Sequence, residues 1–362
     1  MAHIVLSACI MRETEIKDIA IIFTFDQLAE IRRAGLPDDH FGPDSQHLSI
    51  CVTLEGRDID ETLANWLVAL PCPVVGVLSA ADMRDVADMR DIKASGILHA
   101  CDAIVGEQQV TRLQNSIARS PLAAMTLCQQ LRLAETLPLE QALITESLAY
   151  ASLQKGREFN RWLAAQPDPP SVSSDETPDE TPDEILLVTR QDAILQLCLN
   201  APAQLNEIDV AMRDALCAAF DIARLDDKIS GLALSANGKA FSQGGALSEF
   251  GEVADPATAH WIRMLRLPAL HLIRSGKPLS VVIQGAAIGA GVELAAFAEN
   301  IMATKKAWFQ LPELEFGLIP GAGGTVSLTR RIGRHRTGEM ALSGQRVAAD
   351  TALDWGLVDQ LA

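Results

Sequence analysis

Aromatic residues are scarce in this chain of 362 residues, at 4% with a single tyrosine. Cysteines are present (Cys9, Cys51, Cys72, Cys101, Cys128, Cys198 and Cys217), but none stands at C-x-x-C or zinc-ligand spacing. An odd number scattered through apolar runs reads as buried free thiols in a reducing, cytoplasmic setting, and no metal site is expected. The N-terminus has no basic stretch followed by an apolar run, so no secretory leader is expected. No apolar run reaches the roughly 20 residues that cross a bilayer, which argues against a membrane-spanning protein. Bases are outnumbered, 30 Lys and Arg against 47 Asp and Glu, for a net charge of -17. A nucleic-acid partner is therefore not expected, whereas an anionic substrate is not excluded, because the local field decides that. What remains is an ordinary globular composition, 48% apolar and 21% charged, long enough for two or three domains.

Taken in order, residues 1–105 alternate short apolar runs with helical patterns. Strands are expected over Ala20–Phe25, Leu48–Leu54 and Val74–Leu78. Between them, Asp60–Leu70 has Leu63, Trp66, Leu67 and Leu70 on one helical face and stops before Pro71. Ala81–Val86 is nearly duplicated as Ala87–Ile92, which reads as a charged surface helix. Residues 112–164 are strongly helical, with starts at Ser120-Pro121, near Leu139 and near Gly156. Residues 167–184 hold seven acids, five prolines and no base. They form an extended acidic linker rather than a packed segment. From Ile185 the pattern restarts, with strands over Ile185–Val188, Ala193–Leu199 and Gly231–Ser235 and a helix over Asp209–Ala223. That alternation predicts parallel strands with right-handed crossovers.

The stretch Leu279–Thr325 is unlike ordinary core. A strand-like run (Leu279–Ile283) leads into Gly289-Ala290-Gly291-Val292-Glu293. A second short strand, Asn300–Thr304, precedes Phe309-Gln310-Leu311-Pro312-Glu313, and Gly317-Leu318-Ile319-Pro320-Gly321-Ala322-Gly323-Gly324-Thr325 follows. Glycines let a backbone approach a ligand, and a glutamate in apolar surroundings acquires a raised pKa and becomes a usable acid or base.

These blocks, with Leu199–Asn206, Gly238–Leu247 and Leu342–Val358, occur in the order and spacing of the enoyl-CoA hydratase/isomerase (crotonase) family, which residues 185–361 resemble. The resemblance implies an α/β crotonase fold, a spiral of ββα turns forming two roughly perpendicular sheets with surrounding helices. It implies syn hydration of a 2-enoyl-CoA to a 3-hydroxyacyl-CoA through a thioester enolate, with no cofactor beyond the coenzyme A of the acyl-CoA substrate. Gly245 and Ala290 fall where the family's two oxyanion-binding backbone N–H groups lie, and Glu293 and Glu313 fall on its acid/base pair. By resemblance Glu293 activates the water and Glu313 supplies the proton. Ala203, Leu205, Gly244, Ala246, Leu247, Gly289, Gly291, Pro320 and Gly321 fall at substrate-binding positions. A homo-oligomer, trimer or hexamer, is implied as well.

Departures stand beside the matches. Ala201 and Ala203 replace bases that contact coenzyme A in the family, Ala246 replaces an aspartate, and Ala290 replaces a more usual glycine. Arg330, Arg331, Arg334 and Arg336 are read as a solvated helix face, with phosphate contacts as the alternative. The family's pattern continues past Gly356-Leu357-Val358 into further helices; here matching helices are read upstream, in residues 112–164. Residues 1–166 therefore read as a degenerate crotonase-like unit without a glycine-rich donor loop, against the plainer alternative of an unrelated helical domain. Residues 185–362 read as the catalytic core. Rival functions are isomerisation, hydrolysis, cyclic dienoyl-CoA hydration, or a non-catalytic assembly subunit.

Overall fold

A computed structural model describes residues 21–35, 40–54, 59–79, 96–166, 184–253 and 255–362. Cys9, the duplicated stretch 81–92 and linker residues 167–183 lie outside these residues. The upstream half begins with β1 (Ile22–Phe23), which passes directly into α1 (Phe25–Arg33). The strand expected over 20–25 is cut short by Thr24. Its hydroxyl accepts from the Gln27 N–H, and the Gln27 side chain accepts from the Thr24 N–H at 2.8 Å, a reciprocal cap that starts a helix. Next come β2 (Ile50–Thr53), α2 (Glu61–Ala69), β3 (Val74–Leu78), α3 (Gly96–Ala100) and β4 (Ala103–Gly106). The four strands form one parallel sheet in the order β1-β2-β3-β4. Helix α2 is capped by the Asp60 carboxylate, which accepts from the Leu63 N–H at 2.7 Å. Leu63, Leu67 and Leu70 are buried as the periodicity predicts.

Four helices follow: α4 (Glu107–Arg119), α5 (Pro121–Thr136), α6 (Leu139–Leu153) and α7 (Arg157–Ala164). Pro121 opens α5, where its missing N–H costs nothing. The next two N–H groups, of Leu122 and Ala123, donate to the buried Glu158 carboxylate of α7 at 2.8 and 3.0 Å. One side chain thus caps α5 and ties it to α7.

The downstream half contains β5 (Leu186–Gln191), β6 (Ile194–Leu199), α8 (Val210–Leu225), β7 (Gly231–Ala236), α9 (Pro256–Arg266), α10 (Pro268–Ser275), β8 (Leu279–Ile283), β9 (Ala286–Ile288) and α11 (Ala290–Ala295). It continues with β10 (Asn300–Ala303), β11 (Trp308–Gln310), α12 (Gly324–Ile332), α13 (Arg334–Ser343), β12 (Val347–Ala348), α14 (Ala349–Asp354) and β13 (Gln360–Leu361). A six-stranded sheet has the order β13-β10-β8-β7-β6-β5, and a three-stranded sheet the order β12-β11-β9. Most pairs are parallel, but β5–β6 and β11–β12 are antiparallel. Only Asp192 and Ala193 join β5 to β6, and a link that short permits a hairpin but no crossover.

The arginine series is a second correction. Arg334 and Arg336 are 4% and 7% exposed and do not form a solvated face. Gly338 explains why: a Cβ there would lie 2.1 Å from the Asp102 carbonyl oxygen, so α13 runs hard against the end of β4. Arg334 pairs with Glu135 at 2.8 Å and approaches Asp102 at 3.6 Å, while Arg336 donates to the Trp355 carbonyl. Arg331 is taken up by the Ala298 and Leu357 carbonyls and by Asp359, which leaves Arg330 as the exposed member.

One hydrophobic core runs through both halves, joining Val77 and Val105 to Leu197, Val281 and Phe309. All six described cysteines are unpaired and five are buried. Among the described residues no helix is long and apolar enough to cross a membrane, and no His, Cys, Asp and Glu cluster suited to a metal ion occurs.

Candidate active site

Two backbone loops form the floor of the site. The first, residues 238–246, is laced to β9. Phe241 and Ser242 N–H donate to the Ala286 carbonyl, and Ile288 N–H donates to that of Ser242. Gly244 has φ +97°, and a Cβ on it would sit 2.9 Å from the Ile288 carbonyl oxygen and 3.6 Å from the Ala290 nitrogen. Only glycine lets the two loops meet this closely. The Gln243 N–H donates to the Leu205 carbonyl, so Leu205 braces the loop from outside. Buried Asn206 does the same with its side chain, donating to the Asn237 and Ala240 carbonyls and accepting from the Ala201 N–H.

The second loop turns at Gly289 (φ +48°) into α11, so Ala290 is the first residue of that helix. Gly245 and Ala290 both line a cavity of about 580 Å³, and neither N–H donates to another group among the described residues. A helix N-terminus adds positive potential beside Ala290.

Glu293 and Glu313 line the same cavity and are 2% and 8% exposed. Glu293 projects from α11, and its Oε2 accepts the N–H of Ala322 at 2.7 Å and of Gly324 at 2.8 Å. Glu313 follows β11, and its Oε2 is buried with no hydrogen-bond partner. Its Oε1 lies 2.7 Å from where a Gly289 Cβ would be, so Gly289 makes room for that carboxyl. Burial raises Glu293 to a pKa of about 7 against the hold of its two amide donors and the Arg263 charge. Burial, and then the Glu293 charge, push Glu313 well above the ordinary carboxylate range. No Lys or Arg is ion-paired to either among the described residues, so burial dominates and favours the protonated form of both carboxyls.

The upstream helices supply the far wall. Tyr150 of α6 is buried against Gly321, where a Cβ would come within 2.2 Å of its ring, and the Arg263 guanidinium stacks 3.7 Å above that ring. Arg263 also donates to the Gly321 carbonyl. Phe159 and Trp162 of α7 pack with Phe250 and Phe316. Glu146 of α6 is 1% exposed and accepts from Gly323 N–H, Thr325 N–H and the Thr325 hydroxyl at 2.7, 2.9 and 2.6 Å. Nothing in the sequence pattern singled out Glu146, Tyr150 or Arg263. Each is one polar residue in a helix, and the partners that give it meaning are 58 to 179 residues away in the chain.

The expected site residues divide accordingly. Gly245, Ala246, Ala290, Glu293, Glu313 and Gly321 share the cavity wall. Gly244, Gly289 and Gly291 lie behind it; a Cβ on Gly291 would meet the Ser242 Cβ at 2.7 Å. Pro320 is buried off the wall, whereas Ala203 and Leu247 are exposed and off it.

Parallel sheets wrapped by helices, with glycine loops closing on buried glutamates, make this a crotonase-fold protein. The enoyl-CoA hydratase/isomerase family model matches residues 189–362. A 2,3-dehydroadipyl-CoA hydratase of Escherichia coli is 36% identical over 179 residues, 49% of this chain and 68% of that protein. A trans-2-decenoyl-(acyl-carrier-protein) isomerase of Streptococcus mutans is 33% identical over 177 residues, 48% of this chain and 67% of that protein. A solved enoyl-CoA hydratase structure from Mycobacterium smegmatis aligns with 32% identity and a TM-score of 0.45, covering 50% of this chain and 70% of that one. The chain belongs to the enoyl-CoA hydratase/isomerase family.

Proposed function

We propose that the protein hydrates a 2-enoyl-CoA to a 3-hydroxyacyl-CoA. The observation that carries this reading is the meeting of two buried carboxyls, both raised by burial, with two unclaimed backbone N–H groups in one cavity. The thioester carbonyl oxygen accepts from the Gly245 and Ala290 N–H groups. As water adds to the β-carbon, electron density moves through the former double bond onto that oxygen, where the donors and the start of α11 stabilise it. Ionised Glu293 takes the proton that the water loses. Protonated Glu313 gives its proton to the α-carbon, and proton exchange between the two carboxyls restores the starting state. Water is consumed and no redox equivalent is needed. The E. coli relative, named for a dehydroadipyl-CoA, supports an acyl-CoA substrate.

The relative named an isomerase keeps a second reaction in view, since one carboxylate suffices to move a proton between carbons. The test is loss of the conjugated thioester absorbance with short and medium 2-enoyl-CoAs, with product mass read in parallel. A gain of one water supports hydration, and unchanged mass indicates isomerisation. No turnover at any chain length contradicts both. The upstream half is read as a degenerate crotonase-like unit. Its sheet, with successive strands parallel and adjacent, repeats the β6-β7-β8-β10 order of the downstream half, and the end of its helix α6 brings Tyr150 and Gln154 to the cavity wall.

A further inference from the structure

The loop Ala322–Thr325 is held from two sides in strict alternation. Glu293 takes the N–H groups of Ala322 and Gly324, and Glu146 takes those of Gly323 and Thr325. Four consecutive amides at the start of α12 are thus shared between a carboxyl of the reacting pair and one contributed from upstream of the linker. We propose that Glu146 is a positioning residue for the hydration site, strapping the Ala322–Thr325 loop so that its alternate amides hold the Glu293 carboxylate in its reactive orientation.

Three observations carry this. Among the described residues Glu146 makes no ion pair with a base, and the hydrogen bonds it accepts all come from the loop. Its position is fixed from behind, because Gln130 of α5 donates both to Thr325 Oγ1 at 3.2 Å and to the Ala142 carbonyl of α6 at 3.1 Å. The loop has little freedom of its own, since a Cβ at Gly324 would lie 2.4 Å from Glu293 Cγ and one at Gly323 would lie 2.6 Å from Phe297. A loop this tight transmits a shift of one carboxyl to the other. The ionisable groups that act on Glu146 are Glu293 on α11 and Glu313 after β11; Tyr150, one turn further along α6, and Arg263 of α9, which stacks on its ring, face that pair.

The proposal rests on the reading of Glu293 as the base, so its test includes readouts that need no turnover. In the full chain, Glu146→Gln keeps the volume but turns an amide N–H₂ towards donors. Thr325→Ala removes only the hydroxyl contact and serves as the milder variant. Backbone hydrogen exchange over residues 321–326 is expected to rise about tenfold or more in Glu146→Gln, with the central sheet unchanged. The Glu293 carboxyl, followed by its carbon-13 resonance, is expected to titrate higher, because loosened amides no longer favour its charged form. With 2-enoyl-CoA, kcat is expected to fall about 100-fold with KM little changed, the scale of a misplaced catalytic group. Thr325→Ala follows in the same directions with smaller size. A downward move of the Glu293 titration would mean that Glu146 acts through its charge, and unchanged exchange would mean that there is no strap; either overturns the proposal. Faster exchange with unchanged kcat and titration reduces Glu146 to a structural role and overturns it as well. An inactive wild type would count against hydration, while exchange and titration would still decide the strap.

Discussion

Two buried carboxyl arrangements stand in contrast, Asp102 in the upstream half and the Glu293–Glu313 pair in the downstream half. Upstream, Asp102 is 0% exposed and fully answered. Arg132 grips it with a two-pronged contact at 2.7 and 2.8 Å, the Val74 N–H adds 2.9 Å, and Arg334 of α13 stands at 3.6 Å. Downstream, Glu313 has a buried oxygen with no partner, and Glu293 has only amide donors. The first arrangement holds a charge in place for the fold. The second withholds a base, so burial raises both carboxyls above the ordinary range. Pairing with a base, more than burial itself, separates Asp102 from the Glu293–Glu313 pair.

Exchanging the two roles by mutation should break this contrast in opposite directions. Glu313→Gln is expected to cost about 10²–10⁴-fold in kcat while leaving the unfolding midpoint unchanged or raised, since no ion pair is lost. Asp102→Asn is expected to lower stability by about 3–5 kcal/mol, because it strands half-buried Arg132 and weakens the setting of buried Arg334. Its activity per folded molecule should stay close to wild type, as urea unfolding and active-site titration would report.

The pH dependence of stability sharpens the contrast. Glu293 is raised from 4.5 to about 7 in the folded protein, so between those values the native state holds a proton that the unfolded state has released. Stability from this group is therefore greatest at low pH, falls as pH rises towards about 7, and is level above it. Glu146, raised by burial and by the Glu293 charge to about 8, extends the decline. Urea unfolding across this range should show the fall, and Glu293→Gln should make it shallower.

Smaller effects follow from the close contacts. Gly321→Ala forces a Cβ into the Tyr150 ring and is expected to cost about 1–3 kcal/mol by thermal or urea unfolding. Ala203→Arg, on an exposed position where the family carries a base, should change stability by under about 0.5 kcal/mol and lower KM for an acyl-CoA.

Much of this was legible in the sequence because local rules set it. Pro121 opening α5, Asp209 capping α8 through the Met212 N–H, and the paired glycines around Ala290 are each decided within a few residues. The glutamates at 293 and 313 stood out as acids in apolar runs, and the fold brings them to one cavity with Gly245 and Ala290. What stayed hidden depends on distant partners. Arg334 looks like a surface arginine until Gly338 seats α13 against Asp102. Glu146 looks like a polar helix position until Gly323 and Thr325 arrive from the other side of the linker.

The central claim is that the uncompensated pair, and not the compensated one, performs the chemistry. It is tested most directly by enoyl-CoA hydration rates of wild type, Glu313→Gln and Asp102→Asn at equal concentrations of folded protein. A loss of two or more orders of magnitude, roughly the share of a general acid, is expected in Glu313→Gln, with near wild-type turnover in Asp102→Asn. Wild-type turnover in Glu313→Gln would contradict it.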